Sequence, residues 1–296
     1  MSNPSHTTNS VSSYNQGVKS RRLRHIIAIG VIIIAAAILY VFIVPTAVGK
    51  HYLSNMQQAL HATGESLKKT AGSAALPLFT DPDISLSARS SQIRSALDDI
   101  THTEETLARL EATSRLANLP GGDFANTYRT AEVRHKQSQA LVKQSRQVLN
   151  EYRELLEYLQ TYTEMQMRLD EHLGSFNSIH DFNTLIGNGG SMFSAANELY
   201  ARADKLRSMP APAGFEQLGA EGANTLSQAA NNFTRLGRGL NMGDDATIYG
   251  AVAALEAIEL KNTVEDKDLL VTLADKSPIL RELNDLPEKA ETALGL

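Results

Sequence analysis

A run of apolar residues near the N-terminus limits what this chain can fold into more than any other feature. The run begins at Ile26, ends at Val44 and contains 19 residues without an ionisable side chain. A helix of that length rises about 29 Å, which matches the ~30 Å hydrocarbon core of a bilayer. We therefore predict a transmembrane helix over residues 26–48 that contacts the lipid bilayer.

The residues before this run predict its orientation. Residues 1–25 contain no acidic side chain, and their basic side chains are Lys19, Arg21, Arg22 and Arg24. Because positive flanks stay on the cytoplasmic side, we predict a cytoplasmic N-terminus and export of the chain that follows. Ser, Thr and Asn dominate the first 25 residues, which predicts a disordered tail.

A cleaved signal peptide is the alternative, with Ala47, Val48 and Gly49 as a small-residue cleavage site. Signal peptides have apolar cores of about 7–15 residues, and this run is longer. The length favours an uncleaved, single-pass signal anchor.

Composition narrows the class of protein further. The chain has no Cys, which excludes disulfides, thiolate metal sites and a cysteine nucleophile. Exported domains of bacterial envelopes often lack disulfides, so we predict location in a bacterial cytoplasmic (inner) membrane. The net charge is −5, and because the tail carries +4, residues 26–296 carry −9. An acidic exported domain is not expected to bind nucleic acid.

Residues 49–296 are predicted to be all-α. Their apolar periodicity indicates an elongated extracytoplasmic bundle of long antiparallel helices with coiled-coil-like packing, and the length allows two stacked bundles. Residues 123–173 lack Gly and Pro, which predicts one long helix or two collinear helices over about residues 124–173. Its heptad seam comprises Val148, Tyr152, Leu155, Leu159, Tyr162, Leu169 and Leu173. Gln166 is the one polar residue in this seam, and we expect Gln166→Leu to stabilise the domain or loosen its oligomeric specificity.

Small residues mark two later segments, one ending near Leu240 and one beginning near Ala246. Because small side chains let helix axes approach closely, we predict that these segments form one tight antiparallel pair. The residues concerned are Gly219, Gly222, Ala229, Ala230, Gly250, Ala253, Ala254 and Ala257.

Two Glu/Asp and His pairs have the spacing that di-iron bundles use, Glu132 with His135 and Asp99 with His102. Such a site needs two further carboxylates, and basic residues flank His135. We predict surface charge here and neither metal nor cofactor. No nucleophile elbow or phosphate-binding motif is present, so we predict that the chain is not an enzyme.

These observations predict a membrane-anchored helical interaction or scaffold protein of the cell envelope. Its partner would be another envelope protein or a second copy of the chain, contacted through helices. The alternative is a ligand-binding sensor module, similar in arrangement to chemoreceptor helical ectodomains, that signals through a partner.

Overall fold

A computed structural model describes residues 11–74, 81, 84–116, 119, 122, 125–177, 187 and 189–294. For residues 11–26, 73–74, 177, 259–268 and 294 it describes the backbone alone. Every regular element within these ranges is an α-helix, which agrees with the all-α prediction.

The first helix, α1 (Val11–Ala74), is 64 residues long and contains both the apolar run and Pro45. Pro45 removes one backbone donor, and the hydroxyl of Thr46 donates to the Phe42 carbonyl at 2.7 Å in the adjoining turn. The helix begins at Val11, so the tail that we predicted to be disordered is helical over residues 11–25. Propagation of an existing helix adds one hydrogen bond for each residue fixed, which accounts for this extension.

Two long helices follow, α2 (Leu86–Thr113) and α3 (Asn126–Asn177). The 52 residues of α3 form one long helix, the first of the two alternatives predicted from the absence of Gly and Pro. All seven predicted seam residues are buried, with relative exposures of 2% or less. Asp123, the first residue of the Gly- and Pro-free stretch, lies outside the described residues.

Four more helices complete the described chain: α4 (Gly189–Ser208), α5 (Glu216–Met242), α6 (Asp245–Lys276) and α7 (Pro278–Leu294). Pro287 lies inside α7, although proline ordinarily interrupts a helix. The apolar face of α7 is buried through Leu283, Leu286 and Ala290, and this burial outweighs one lost backbone hydrogen bond.

Asp244 is the N-cap residue of α6. Its carboxylate accepts from the Thr247 backbone at 3.3 Å and from the Thr247 hydroxyl at 2.6 Å. The Thr247 hydroxyl, followed by the backbone donors, holds the pKa of Asp244 below its usual value. Because the pKa is lowered in the folded state, the ionised cap stabilises the fold at neutral pH. This stabilisation is lost as the pH falls through the pKa that Asp244 has in the folded state.

The helix α5 packs against both α4 and α6, but the two predicted glycines of α5, Gly219 and Gly222, do not face α6. A Cβ on Gly222 would lie 2.5 Å from the Tyr162 ring of α3, and one on Gly219 would collide with the Tyr158 hydroxyl. Gly219 and Gly222 therefore admit two aromatic rings of α3 rather than a close approach of α6. On α6 itself, Gly250, Ala253 and Ala257 are exposed.

Contacts divide the chain into two compact units. Unit 1 comprises Met1–Gln57 and Thr113–Gln137, and unit 2 comprises Gln58–Ala112 and Ser138–Leu296. The helices α1 and α3 each contribute to both units. The boundaries predicted at residues 25 and 48 describe something else, because they follow the limits of the apolar run in the sequence. The two units are instead defined by contacts between segments that are distant in the chain.

Candidate functional site

The apolar segment of α1 is the first candidate. Among the described residues, α1 alone is long and apolar enough to cross a membrane: an 18-residue window within Ile27–Gly72 has a mean hydropathy of 3.1, and none of it is buried. Each large apolar side chain left in water forgoes about 1.5–3 kcal/mol of transfer free energy. The segment is therefore not a core helix of a soluble domain, and its surface suits a lipid environment. Ile26 and the basic residues Lys19, Arg21, Arg22 and Arg24 belong to the same helix, and Val44 is partly buried.

The alternative cleavage site lies within α1, in unit 1. Gly49 is buried, and a Cβ there would lie 3.0 Å from the Thr127 carbonyl carbon and the Tyr128 nitrogen. The absence of a side chain at Gly49 lets α1 approach the backbone of α3 closely.

The predicted surface charges have ordinary partners. Glu132 pairs with Lys136 at 3.1 Å along one helix turn, and Asp99 pairs with Lys69 at 2.7 Å. The His135 ring hydrogen-bonds through Nδ1 to the Tyr52 hydroxyl at 3.3 Å, and His102 is exposed. The described residues contain no group of three or more His, Asp or Glu side chains that would suit a metal ion.

A buried polar network lies inside unit 2 and joins α2 to α3. Arg89 is only 4% exposed, and its Nη1 donates to the Gln166 side-chain carbonyl at 3.0 Å. The Gln166 amide in turn donates to the Tyr162 hydroxyl at 3.3 Å. The side-chain carbonyl of Gln166 thus accepts a hydrogen bond from a buried guanidinium. A buried guanidinium without hydrogen-bond partners would destabilise the fold.

A narrow cavity adjoins this network between α3, α4 and α5. It has an empty volume of about 240 Å³ and is lined by Tyr162, Met165, Gln166, Leu169, Leu206, Gly222, Thr225 and Leu226. The part that water can enter has room for roughly one molecule. In this conformation, the cavity suits a bound water and is too small for an organic ligand.

Hydroxyl groups form a second polar layer, where α1 packs against α2 in unit 2. The Thr103 hydroxyl lies 2.7 Å from that of Ser66 and 2.8 Å from that of Thr70. The nearby Tyr152 hydroxyl has no hydrogen-bond partner within the described part of the chain. Burial, and then the charge of Asp99, raise the pKa of Tyr152 well above its ordinary value. This tyrosine is therefore neutral across the physiological range and does not act as a base.

A charged groove of about 680 Å³ lies on the surface of unit 2 and is lined by Glu164, Met167, Arg168, Asp170, Glu171 and Arg202. Its arginines are engaged locally, since Arg168 pairs with Glu171 at 2.5 Å and Arg202 pairs with Glu198 at 2.7 Å. The Arg202 hydrogen bond is the main cause of the lowered pKa of Glu198. The groove is consequently a solvated surface on which three carboxylates outnumber two guanidinium groups.

Sequence analysis missed the buried arginine, although the spacing contained the signal. Nine residues of α2 are buried, and seven of them alternate steps of four and three residues, as in a heptad seam: Arg89, Ile93, Ala96, Ile100, Thr103, Leu107 and Leu110. The other two are Ser90 and Thr106. An apolar-only search finds Ile93 and Ile100 and passes over the polar members Arg89 and Thr103.

No family model, no curated protein and no solved structure matches this chain.

Proposed function

We propose that this chain is a membrane-anchored helical interaction or scaffold protein of the cell envelope, without enzymatic activity. The anchor would hold the tail on the cytoplasmic side and the helical domain outside the cytoplasm. The domain would then present helix faces to another envelope protein or to a second copy of the chain.

One observation carries this proposal. The apolar span continues within α1 into packed residues of the same compact unit, unit 1, where Gly49 lies against the backbone of Thr127 and Tyr128. Folded structure therefore begins directly after the span rather than after a flexible linker. Such an attachment suits a protein that holds a partner at a set place.

The topology is testable in spheroplasts that carry tags at both ends of the chain. External protease should remove the C-terminal tag and leave the N-terminal tag intact, because the basic flank retains the N-terminus inside. Detergent lysis should expose both tags and serves as the control. A mature protein that begins at Lys50 would contradict the anchor, and protection of the C-terminal tag would contradict the orientation.

The buried Arg89–Gln166 network favours a second candidate, a ligand-sensing domain that signals through a partner. A polar network with a cavity inside a helical bundle is the kind of element that a small molecule can rearrange. The cavity would have to widen before it could hold such a molecule, so the scaffold remains our first proposal.

A single experiment separates the two candidates. The full chain is crosslinked in intact cells, extracted in mild detergent and purified, and its companions are identified as protein or small molecule. We expect a protein at near-stoichiometric yield that is absent from a control chain that carries the tail and the span, residues 1–48, without the domain. Stoichiometric recovery of a small molecule, lost in Gln166→Leu, would support the sensor and overturn the scaffold.

A further inference from the structure

Unit 1 joins the apolar segment of α1 to the first turns of α3. Pro45 and Gly49 of α1 are buried, so packing begins where the apolar run ends. A Cβ on Gly49 would lie 3.0 Å from the Tyr128 nitrogen, and the Tyr52 hydroxyl lies 3.3 Å from His135 Nδ1. Residue numbers rise together along both helices at these contacts. The helix α3 therefore runs parallel to α1 here, and its first turn is the part of α3 nearest to the apolar run.

With the apolar run in a bilayer, the first turn of α3 lies at the depth of the lipid headgroups. Gly49 follows Val44, the last residue of the run, by five positions. Five residues of α-helix rise about 7.5 Å. The polar headgroup layer on each side of the hydrocarbon core is about 5–7 Å thick. The backbone of Thr127 and Tyr128, which contacts Gly49, is therefore at the outer limit of this layer.

The part of unit 1 beyond the apolar run is basic, in contrast to unit 2. Residues 45–57 and 113–137 carry a net charge of +3, whereas unit 2 carries −12. The charged residues that give the value of +3 are Lys50, Arg115, Asp123, Arg129, Glu132, Arg134 and Lys136. A basic surface fits an anionic partner, and lipid phosphates are the anions that the proposed anchor brings closest to this surface.

Three of these basic side chains are exposed beside the contacts between α1 and its neighbours in unit 1. Lys50 and Arg129 each follow a residue of the first contact between α1 and α3. Arg115 follows Ser114, whose carbonyl accepts a hydrogen bond from the Tyr52 hydroxyl at 3.5 Å. Within the described part of the chain, none of the three basic residues forms an ion pair.

We infer that Lys50, Arg115 and Arg129 bind the phosphate groups of anionic phospholipids in the leaflet from which unit 1 emerges. The inference rests on the membrane anchor of the proposed function. Long basic side chains extend their charged ends to the headgroups while their aliphatic stems lie along apolar surface. The three residues need not form one patch, because the bilayer surrounds α1 on all sides.

The depth of these residues favours a lipid over another anionic partner. An acidic protein would suit the same charges, but it would have to be recruited, whereas α1 places the residues at the lipid phosphates whenever the span is inserted. Each Lys or Arg near an anionic membrane surface strengthens binding about five-fold. This attraction extends over a Debye length of about 8–10 Å, which includes the distance from the end of the apolar run to Gly49.

Photo-crosslinking in vesicles of defined composition tests the inference. Because the chain contains no cysteine, a single cysteine at the exposed Asn126 of α3 can carry a benzophenone label. The labelled full chain is reconstituted into vesicles of equimolar phosphatidylglycerol and phosphatidylcholine and irradiated, and its lipid adducts are identified by mass spectrometry. The label samples only the leaflet beside unit 1, so lipids bound by the basic tail on the other side do not contribute. Both leaflets have the same composition, so the direction of insertion does not matter.

We expect phosphatidylglycerol adducts to exceed phosphatidylcholine adducts about five-fold or more. The ratio should fall to near one in the triple variant Lys50→Gln, Arg115→Gln and Arg129→Gln. It should also fall for the chain without these substitutions in 1 M NaCl, where the Debye length is about 3 Å. The salt measurement does not depend on the folding of any charge variant.

The matched control is the triple variant Arg94→Gln, Lys143→Gln and Arg238→Gln, which removes the same charge from exposed positions of unit 2 and should leave the ratio unchanged. A ratio near one in the unsubstituted chain, no lipid adduct from an inserted chain, or an equal loss in the control would each overturn the inference. The anchor and the scaffold would then still stand. Recovery of the chain outside the vesicle fraction would instead remove the anchor on which both depend.

Discussion

Replacing Leu155 with alanine is expected to lower the free energy of unfolding of unit 2 by about 2–5 kcal/mol. Leu155 is fully buried in the middle of the α3 seam, with Tyr152 and Leu159 on adjacent turns also buried. Alanine removes three carbons and leaves a cavity that the neighbouring aromatic rings of α3 can fill only in part. Urea unfolding of the full chain in mild detergent, followed by helical circular dichroism, measures the loss.

The matched control is Glu157→Ala, two residues further along the same helix. Glu157 is exposed, so this change should alter stability by no more than about 0.5 kcal/mol. Because the chain has two compact units, the transition attributed to unit 2 should be the one that shifts with Leu155→Ala. Equal midpoints for Leu155→Ala and Glu157→Ala would mean that the seam is not the packed core of this bundle.

The second large effect concerns Gln166→Leu, for which the structure reverses the expectation drawn from sequence. As an isolated polar residue in an apolar seam, Gln166 looked replaceable by leucine with a gain in stability. In the fold its side-chain carbonyl accepts from the buried Arg89. We therefore expect Gln166→Leu to destabilise unit 2 by about 1–3 kcal/mol, since a buried charged donor loses an acceptor.

A double-mutant cycle with Arg89→Met isolates this interaction. The double variant should lose less stability than the sum of the single variants, with a coupling of about 1–2 kcal/mol, because methionine needs no acceptor at that position. Gln147→Leu is the control, because Gln147 is exposed on the same helix and its side-chain amide donates to Glu151, one turn away, at 3.1 Å. A stabilising Gln166→Leu, or a coupling near zero, would contradict the role assigned to Gln166.

Several features followed from the sequence because they depend on neighbours along the chain. Hydropathy and length suffice to identify the apolar run from Ile26 to Val44. The spacing of apolar residues by three and four, with no Gly or Pro between them, suffices to identify the seam from Val148 to Leu173. A side-chain oxygen just before a helix suffices to identify Asp244 as a cap. Each is a local signal, and local signals identify helices and their buried sides.

Other features depend on residues far apart in the chain. Arg89 and Gln166 are separated by 77 positions, so nothing near Gln166 indicates that it faces a guanidinium. Gly219 and Gly222 could equally have admitted α6, and it is their position against Tyr158 and Tyr162 that assigns them to α3. A stripe of small residues predicts that another segment packs closely against the helix, but it does not predict which segment that is.

The sequence by itself determined that this chain is helical, carries one apolar span near its N-terminus and buries a heptad seam along α3. Only the tertiary structure decided which polar residues that core must satisfy and which helix Gly219 and Gly222 of α5 face. The physical reason is that the periodicity of a helix depends on residues three and four positions apart in the chain. The partner of each face, by contrast, depends on how helices tens of residues apart are brought together.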